Sequence, residues 1–210
     1  MDKNLDHIDI KSQKKVTCEF DADESVILSS DIKKVNDYGK AQGRAIAITN
    51  KRIYNLAGKK IKRAIKISDV TAMTKNNVHK NLEFIIHVSS ESDYRFQISK
   101  LETRDEIFSV IKKYYAAIWK KNLPIYGVTD SNLKEYHTVK ADVKKGTCRI
   151  PQESWRIKGE DVLTDDAGGF GGYSTPSEET KSTGITRSSR GTIYSSKKGE
   201  EVSLDDFHCK

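Results

Sequence analysis

The 210-residue chain is short of cysteine, of long apolar runs and of catalytic motifs, and each shortage excludes a class of protein. Its three cysteines, Cys18, Cys148 and Cys209, are odd in number, far apart and form no C-x-x-C pair. No disulfide framework is expected, and a reducing compartment is. No apolar run approaches the roughly 20 residues that a membrane-spanning helix requires. The opening "MDKNLDHIDIKSQKK" has no apolar signal core and is not of the Arg-rich, acid-poor transit type. Asp2 stands where myristoylation requires glycine, and the ending "FHCK" carries no prenylation box. These absences predict a cytoplasmic chain.

The five histidines, His7, His79, His87, His137 and His208, are scattered. The adjacent His208 and Cys209 do not make a metal site, which takes more ligands than two. His87, in the strand-like "FIIHV", reads as a hydrogen-bonded structural histidine. No H-E-x-x-H, no Ser/His/Asp grouping and no paired acids in a cleft are evident. "GGFGGYS" at 168–174 follows no strand, opens no helix and lacks the lysine of a phosphate loop, so it reads as linker. No aromatic RNA-binding strand is present. No enzymatic activity, cofactor, metal or nucleic-acid partner is therefore expected.

What the chain has is positive charge and alternation. The net charge of +7 favours anionic partners: phosphate headgroups or an acidic protein surface such as a cytoskeletal polymer. Residues 1–24 are polar and read as a mobile arm. From Val26, "VILSSDIKKV", "AIAIT", "RIYNL", "IKRAIKI", "VTAMT", "LEFIIHV" and "DYRFQIS" each alternate with period two, and Gly, Asn, Asp and Lys clusters separate them. In "IKRAIKI", the residues Ile61, Arg63, Ile65 and Ile67 share one face, with Arg63 the exception to its apolar character. "NLAGKK" reads as a hairpin turning on Gly58.

The period then changes. Over 102–121, Ile107, Val110, Ile111, Tyr114 and Ile118 form the stripe of a core-facing helix, widened by Phe108, Tyr115 and Trp119. Glu102, Asp105 and Glu106 near its start and Lys112, Lys113, Lys120 and Lys121 toward its end complement the macrodipole, and Pro124 is placed to stop it. Seven strands followed by one helix predict a mainly β (α+β) fold: a pleckstrin-homology-like seven-stranded antiparallel barrel or sandwich over 25–121, capped by its C-terminal helix. Residues 122–160 read as an extension packing on or beside it, with a small helix started by Asp130 or Ser131 and stopped by Gly146. Residues 161–210 are rich in Gly, Ser and Thr and too poor in apolar groups to order alone.

The basic hinge between the first two strands admits two readings, a ligand site or a solvated turn. Lys34, Lys40, Arg44 and Arg52 are the candidate anion-binding residues, since Lys and Arg there would meet a phosphorylated headgroup through charge-assisted bonds. "KVNDYGKAQGRAIAITNKRIYNL" followed by "KRAIKISDVTAMTKNN" resembles the tail-homology domain of class I myosins over roughly residues 26–115. The resemblance implies a pleckstrin-homology-like fold that binds phosphoinositides through the strand lysine, here Lys34, and the arginine before the apolar strand, here Arg44.

Two functions are expected. The first is a non-enzymatic adaptor that docks on an acidic protein surface and threads its tail through a larger cytoskeletal assembly, such as a microtubule or axonemal (ciliary) lattice. Phe170, Tyr173, Ile193, Tyr194 and Phe207 would then be the tail's anchors on protein partners. The second is a peripheral adaptor on a phosphoinositide membrane, held by the basic hairpin.

Overall fold

The computed structural model describes residues 4–78, 82–129 and 133–157. The low-complexity segment 161–210, with the five proposed tail anchors, lies outside the described residues. Seven antiparallel strands follow in order: β1 (Val26–Val35), β2 (Ala41–Thr49), β3 (Arg52–Ala57), β4 (Lys60–Lys66), β5 (Val70–Asn76), β6 (Glu83–Val88) and β7 (Tyr94–Gln97). A 19-residue helix, which we call α2 (Leu101–Trp119) because a one-turn helix α1 (Lys14–Thr17) precedes it, follows the last of them. The fold is thus the pleckstrin-homology-like sandwich with its C-terminal helix, and the alternating segments coincide with the strands. An eighth strand, β8 (Ile125–Val128), then runs parallel to β5, Met73 opposite Ile125. The sheet order β4-β3-β2-β1-β7-β6-β5-β8 leaves the sandwich open rather than closed into a barrel.

The core lies between the two halves of this sheet and under α2. Leu28, Ile32, Ile46, Ile48, Ile53 and Ile65 from β1–β4 meet Met73, Phe84, Ile86, Tyr94 and Phe96 from β5–β7, and Ile107, Phe108, Val110, Ile111 and Tyr115 seal it from the helix. The last helical turn departs from the expected stripe. Ile118 and Trp119 are 44% and 49% exposed, because the helix runs past the end of the sheet. Trp119 there donates its indole N–H to the Ser68 carbonyl at 3.2 Å. The helix stops at Lys120, which is left-handed at φ 54, four residues before Pro124.

A bulge corrects the reading of β4. Asn55 pairs with Arg63, but the next residue, Leu56, pairs with Ile61. The extra residue, Lys62, reverses the alternation. Ile61 therefore packs outside with Leu56 and Tyr54, while Arg63 keeps to the inner face with Ile65.

Both outer faces are covered. Residues 4–24, read from composition as a mobile arm, pack over β1–β4: Ile10 and Val16 are buried against Val26, Ala45, Ala47, Tyr54 and Leu56, with Ile8 and Phe20 at the margin. Phe20 stacks on Tyr54, ring centroids 4.5 Å apart. Asp6 ties this segment down. Its carboxylate accepts from the backbone N–H of Ile10 at 2.9 Å and of Lys11 at 3.0 Å, and from the Ser29 hydroxyl. Burial alone would raise its pKa, but those three donors outweigh burial and hold the carboxyl below its ordinary range.

Residues 122–157 cover the outer face of β5–β7. They carry β8, a one-turn helix α3 (Lys140–Val143) and short 3-10 turns at 134–136 and 153–155. The small helix begins at Lys140 rather than near Asp130, which with Ser131 lies outside the described residues. Gly146, at φ +67, follows it. Leu133, Val128 and Tyr136 pack on Ile85, Leu123 and Ile125 join the main core, and a buried hydrogen-bond network ties the rest. Asp93 accepts from Thr138 N–H at 2.9 Å and from Val88 N–H at 3.1 Å, and its own N–H donates to the Thr138 carbonyl at 2.9 Å. Glu83 accepts from Arg95 Nε at 2.7 Å with one oxygen and from Leu133 N–H at 3.0 Å with the other.

Candidate functional site

The turns β1–β2, β3–β4 and β6–β7 meet at one end of the sandwich, because Val35 at the end of β1 pairs with Arg95 at the start of β7, and Ala45 midway along β2 pairs with Leu56 near the end of β3. At this mouth the inner-face residues change from apolar to polar. Lys34 is two residues beyond core Ile32, Arg44 two before Ile46, Asn55 two beyond Ile53 and Arg63 two before Ile65. By the alternation of a strand all four share the inner face. Tyr94 and Phe96 of β7 form the opposite wall.

Lys34 is half-buried and its ammonium is held below the ordinary lysine pKa. Burial is the first cause; the positive charges of Arg63, Arg44 and Lys140 add to it, and Asp37 acts the other way. Lys34 thus sits, partly desolvated, in a field of positive charge, with Arg44 and Arg63 on the same inner face. Arg63 is positioned by the turn between β6 and β7: its Nε lies 2.9 Å from a Glu91 carboxylate oxygen, it donates to the Ser92 carbonyl, and its guanidinium sits 4.2 Å over the Tyr94 ring. The Tyr94 hydroxyl and the Asn55 side-chain oxygen are buried without a hydrogen-bond partner, and burial pushes the Tyr94 phenol pKa up. Buried polar atoms of this kind cost stability unless something satisfies them. Arg44 spans the edge of the mouth, donating to the Gly43 carbonyl and the Gln42 side chain, each at 2.8 Å.

The structure brings together only part of the predicted set. Lys34 and Arg44 share the mouth, and Lys40 stands exposed where the β1–β2 turn enters β2. Arg52 does not belong there. It begins β3 at the other end of the sheet, where its guanidinium pairs with Asp21 at 2.8 Å and with the buried Glu24 at 3.3 Å. Its charge anchors the N-terminal segment. Sequence reasoning missed Arg63 and Lys140. Arg63 left a signal, a charge on an otherwise apolar face; Lys140 left none, since its charge acts on Lys34 from the extension, more than a hundred residues on.

A second constellation is triad-like. Thr74 Oγ1 lies 2.7 Å from His87 Nε2, and His87 Nδ1 lies 2.9 Å from Asp93 Oδ2. Thr74 and His87 are 0% exposed and Asp93 2%, so no substrate can reach the hydroxyl. The group is a structural tie, with His87 the hydrogen-bonded histidine read from the sequence.

Residues 5–158 match the family described as "Unconventional myosin tail, actin- and lipid-binding". The chain belongs to that unconventional myosin tail family. The match takes in the N-terminal segment and the extension as well as the sandwich, and so exceeds the stretch over which the resemblance was evident. No curated protein matches the chain. Among solved structures, it is similar to the hSac2 domain of the human phosphoinositide phosphatase Sac2 (9% identity, 57% of this chain and 87% of that one, TM-score 0.45). It is also similar to the PH domain of Slm1 solved with inositol-4-phosphate (12% identity, 43% and 95%, TM-score 0.39) and to the C-terminal PH domain of pleckstrin (15% identity, 43% and 97%, TM-score 0.38). Among the described residues, no helix is long and apolar enough to cross a membrane.

Proposed function

We propose that this tail domain is a non-enzymatic peripheral adaptor whose mouth takes the phosphates of a phosphoinositide headgroup, with Lys34, Arg44 and Arg63 as the phosphate-binding residues and Lys40 and Lys140 at the rim. One observation carries the reading: the half-buried Lys34 shares the inner face of the mouth with Arg44 and Arg63, beside the buried and unpartnered polar atoms of Asn55 and Tyr94. That arrangement is unfavourable when empty, and a multiply charged anion relieves it. The family's description as lipid-binding agrees. That description also names actin, which makes an actin filament the first polymer to test. No observation favours a microtubule or ciliary lattice, and the threading role of Phe170, Tyr173, Ile193, Tyr194 and Phe207 rests on sequence alone.

The test is sedimentation with phosphatidylcholine vesicles, with and without phosphoinositide, and with actin filaments. Lys34→Ala combined with Arg44→Ala should abolish vesicle binding without lowering the melting temperature, because the substitution removes a repelled, partly desolvated charge. Rising salt should weaken wild-type binding, and Arg52→Ala should leave it unchanged. Retained vesicle binding by the double variant would sink the reading.

A further inference from the structure

The tip of the β1–β2 turn presents an aromatic ring to solvent. Tyr38 is 94% exposed, far more than any other large apolar side chain among the described residues. The backbone beneath it is fixed. The Asn36 side-chain oxygen accepts from Tyr38 N–H at 3.1 Å and from Lys40 N–H at 2.8 Å. Asn36 N–H donates to the Lys40 carbonyl at 3.0 Å, and Gly39 N–H to the Asn36 carbonyl at 2.9 Å. Gly39 sits at φ +81, a conformation that strains any residue with a β-carbon. Five residues are thus held in one shape, and that shape stabilises no contact for the ring.

We propose that Tyr38 is an interfacial anchor, inserting its ring among the headgroups of an anionic bilayer while the mouth holds the phosphates. The inference rests on the lipid reading above. A bilayer that offers its phosphates to Lys34 and Arg44 meets the same end of the sandwich, and the turn is the part that projects there. Lys40 adjoins the tip, and Lys33 stands exposed within β1 below it; both suit an anionic surface. Tyrosine, with an apolar body and a polar hydroxyl, is a residue type enriched at membrane–water interfaces. The neighbouring Asp37 limits the depth: an ionised carboxylate does not enter hydrocarbon, so insertion stops at the headgroup layer. A fixed turn has little conformational freedom left to lose on insertion.

The experiment uses the full chain with phosphatidylcholine vesicles containing phosphoinositide and, separately, a soluble inositol phosphate. Tyr38→Ala should weaken vesicle binding about tenfold, the effect of about 1.4 kcal/mol, and leave affinity for the soluble inositol phosphate and the melting temperature unchanged. Tyr38→Trp should bind as wild type, and its added fluorescence should be quenched by lipids brominated on the acyl chain near the headgroup, measured against the background of Trp119 and Trp155. Wild-type vesicle affinity in Tyr38→Ala, or an unquenched tryptophan in Tyr38→Trp on bound vesicles, overturns the anchor and leaves the phosphate site standing. Loss of actin binding with vesicle binding intact also overturns it, assigning the ring to a protein contact. If the wild-type chain ignores both vesicles and the soluble inositol phosphate, the phosphate site falls as well.

Discussion

The two outer faces of the sandwich are covered by different chemistry. Over β1–β4, the N-terminal segment uses apolar side chains, Ile10 and Val16 above all, and one capping carboxylate, Asp6. Over β5–β7, the C-terminal extension packs Leu133, Val128 and Tyr136 on Ile85 but is also tied by buried hydrogen bonds to Asp93 and Glu83, with His137 Nε2 3.4 Å from the Asp93 carbonyl. An apolar cover tolerates small shifts, because the hydrophobic effect is non-directional. A polar cover must be right at every bond, because each buried group that loses its partner bears its full desolvation penalty. The first cover should therefore fail gradually and the second abruptly.

The largest effect should come from the polar side. Asp93→Ala strips partners from His87, Val88 N–H and Thr138 N–H at once, in a site that is 2% exposed. A loss of about 3–5 kcal/mol is expected, since several buried groups lose a partner at roughly 1–3 kcal/mol each with partial relaxation, read from urea unfolding. A loss within the range of ordinary surface substitutions would mean that the extension does not depend on this network.

Ile10→Ala should cost less, about 2 kcal/mol, at the low end for such truncations because a marginal segment can settle into the gap. Hydrogen exchange should show faster opening over 5–17 and unchanged protection over 133–138. Equal loosening of both covers would erase the distinction between them.

Acid should separate the two most gently. Burial is the first reason that His137 has a pKa below the ordinary histidine value; Arg95 acts the same way, while Asp93 and Asp37 oppose it. A histidine with a lowered folded pKa binds protons more weakly folded than unfolded, so its stability contribution is present above about pH 6.5 and declines as pH falls toward the folded value. Asp93 and Asp6 are both lowered carboxyls, despite burial that pushes the other way, and their contributions decline only below the ordinary aspartate range. Between pH 7 and 5 the protection of 133–138 should therefore fall while that of 5–17 holds. His137→Gln should remove the difference.

The same contrast explains what could be read in advance. Strands β1–β7 and helix α2 announce themselves through local periodicity, and the Lys34/Arg44 pair through linear spacing. The N-terminal cover was read as an arm because its four anchors, Ile8, Ile10, Val16 and Phe20, are diluted among lysines and aspartates. The polar cover joins residues about 45 apart in sequence, such as Asp93 and Thr138, and no local pattern encodes that pairing. Arg52 was misplaced because closeness along the chain is not closeness in a sheet. Five residues of strand from Arg44 to the level of Arg52 are about 17 Å.

The open ends of the sheet remain. A free strand edge invites a second chain to add itself, which is how sheet proteins begin to aggregate. At β8 the invitation is withdrawn by the chain itself, with Ile157 N–H donating to the Ile125 carbonyl at 2.9 Å and Arg156 bridging Tyr126. At β4 it is withdrawn by charge: Lys60, Lys62 and Lys66 stand exposed along a short, bulged edge strand, where like charges would oppose any incoming copy. Part of the positive charge that draws this chain toward anions therefore also keeps it from its own kind, and a charge-neutralised β4 would trade solubility for fibre growth.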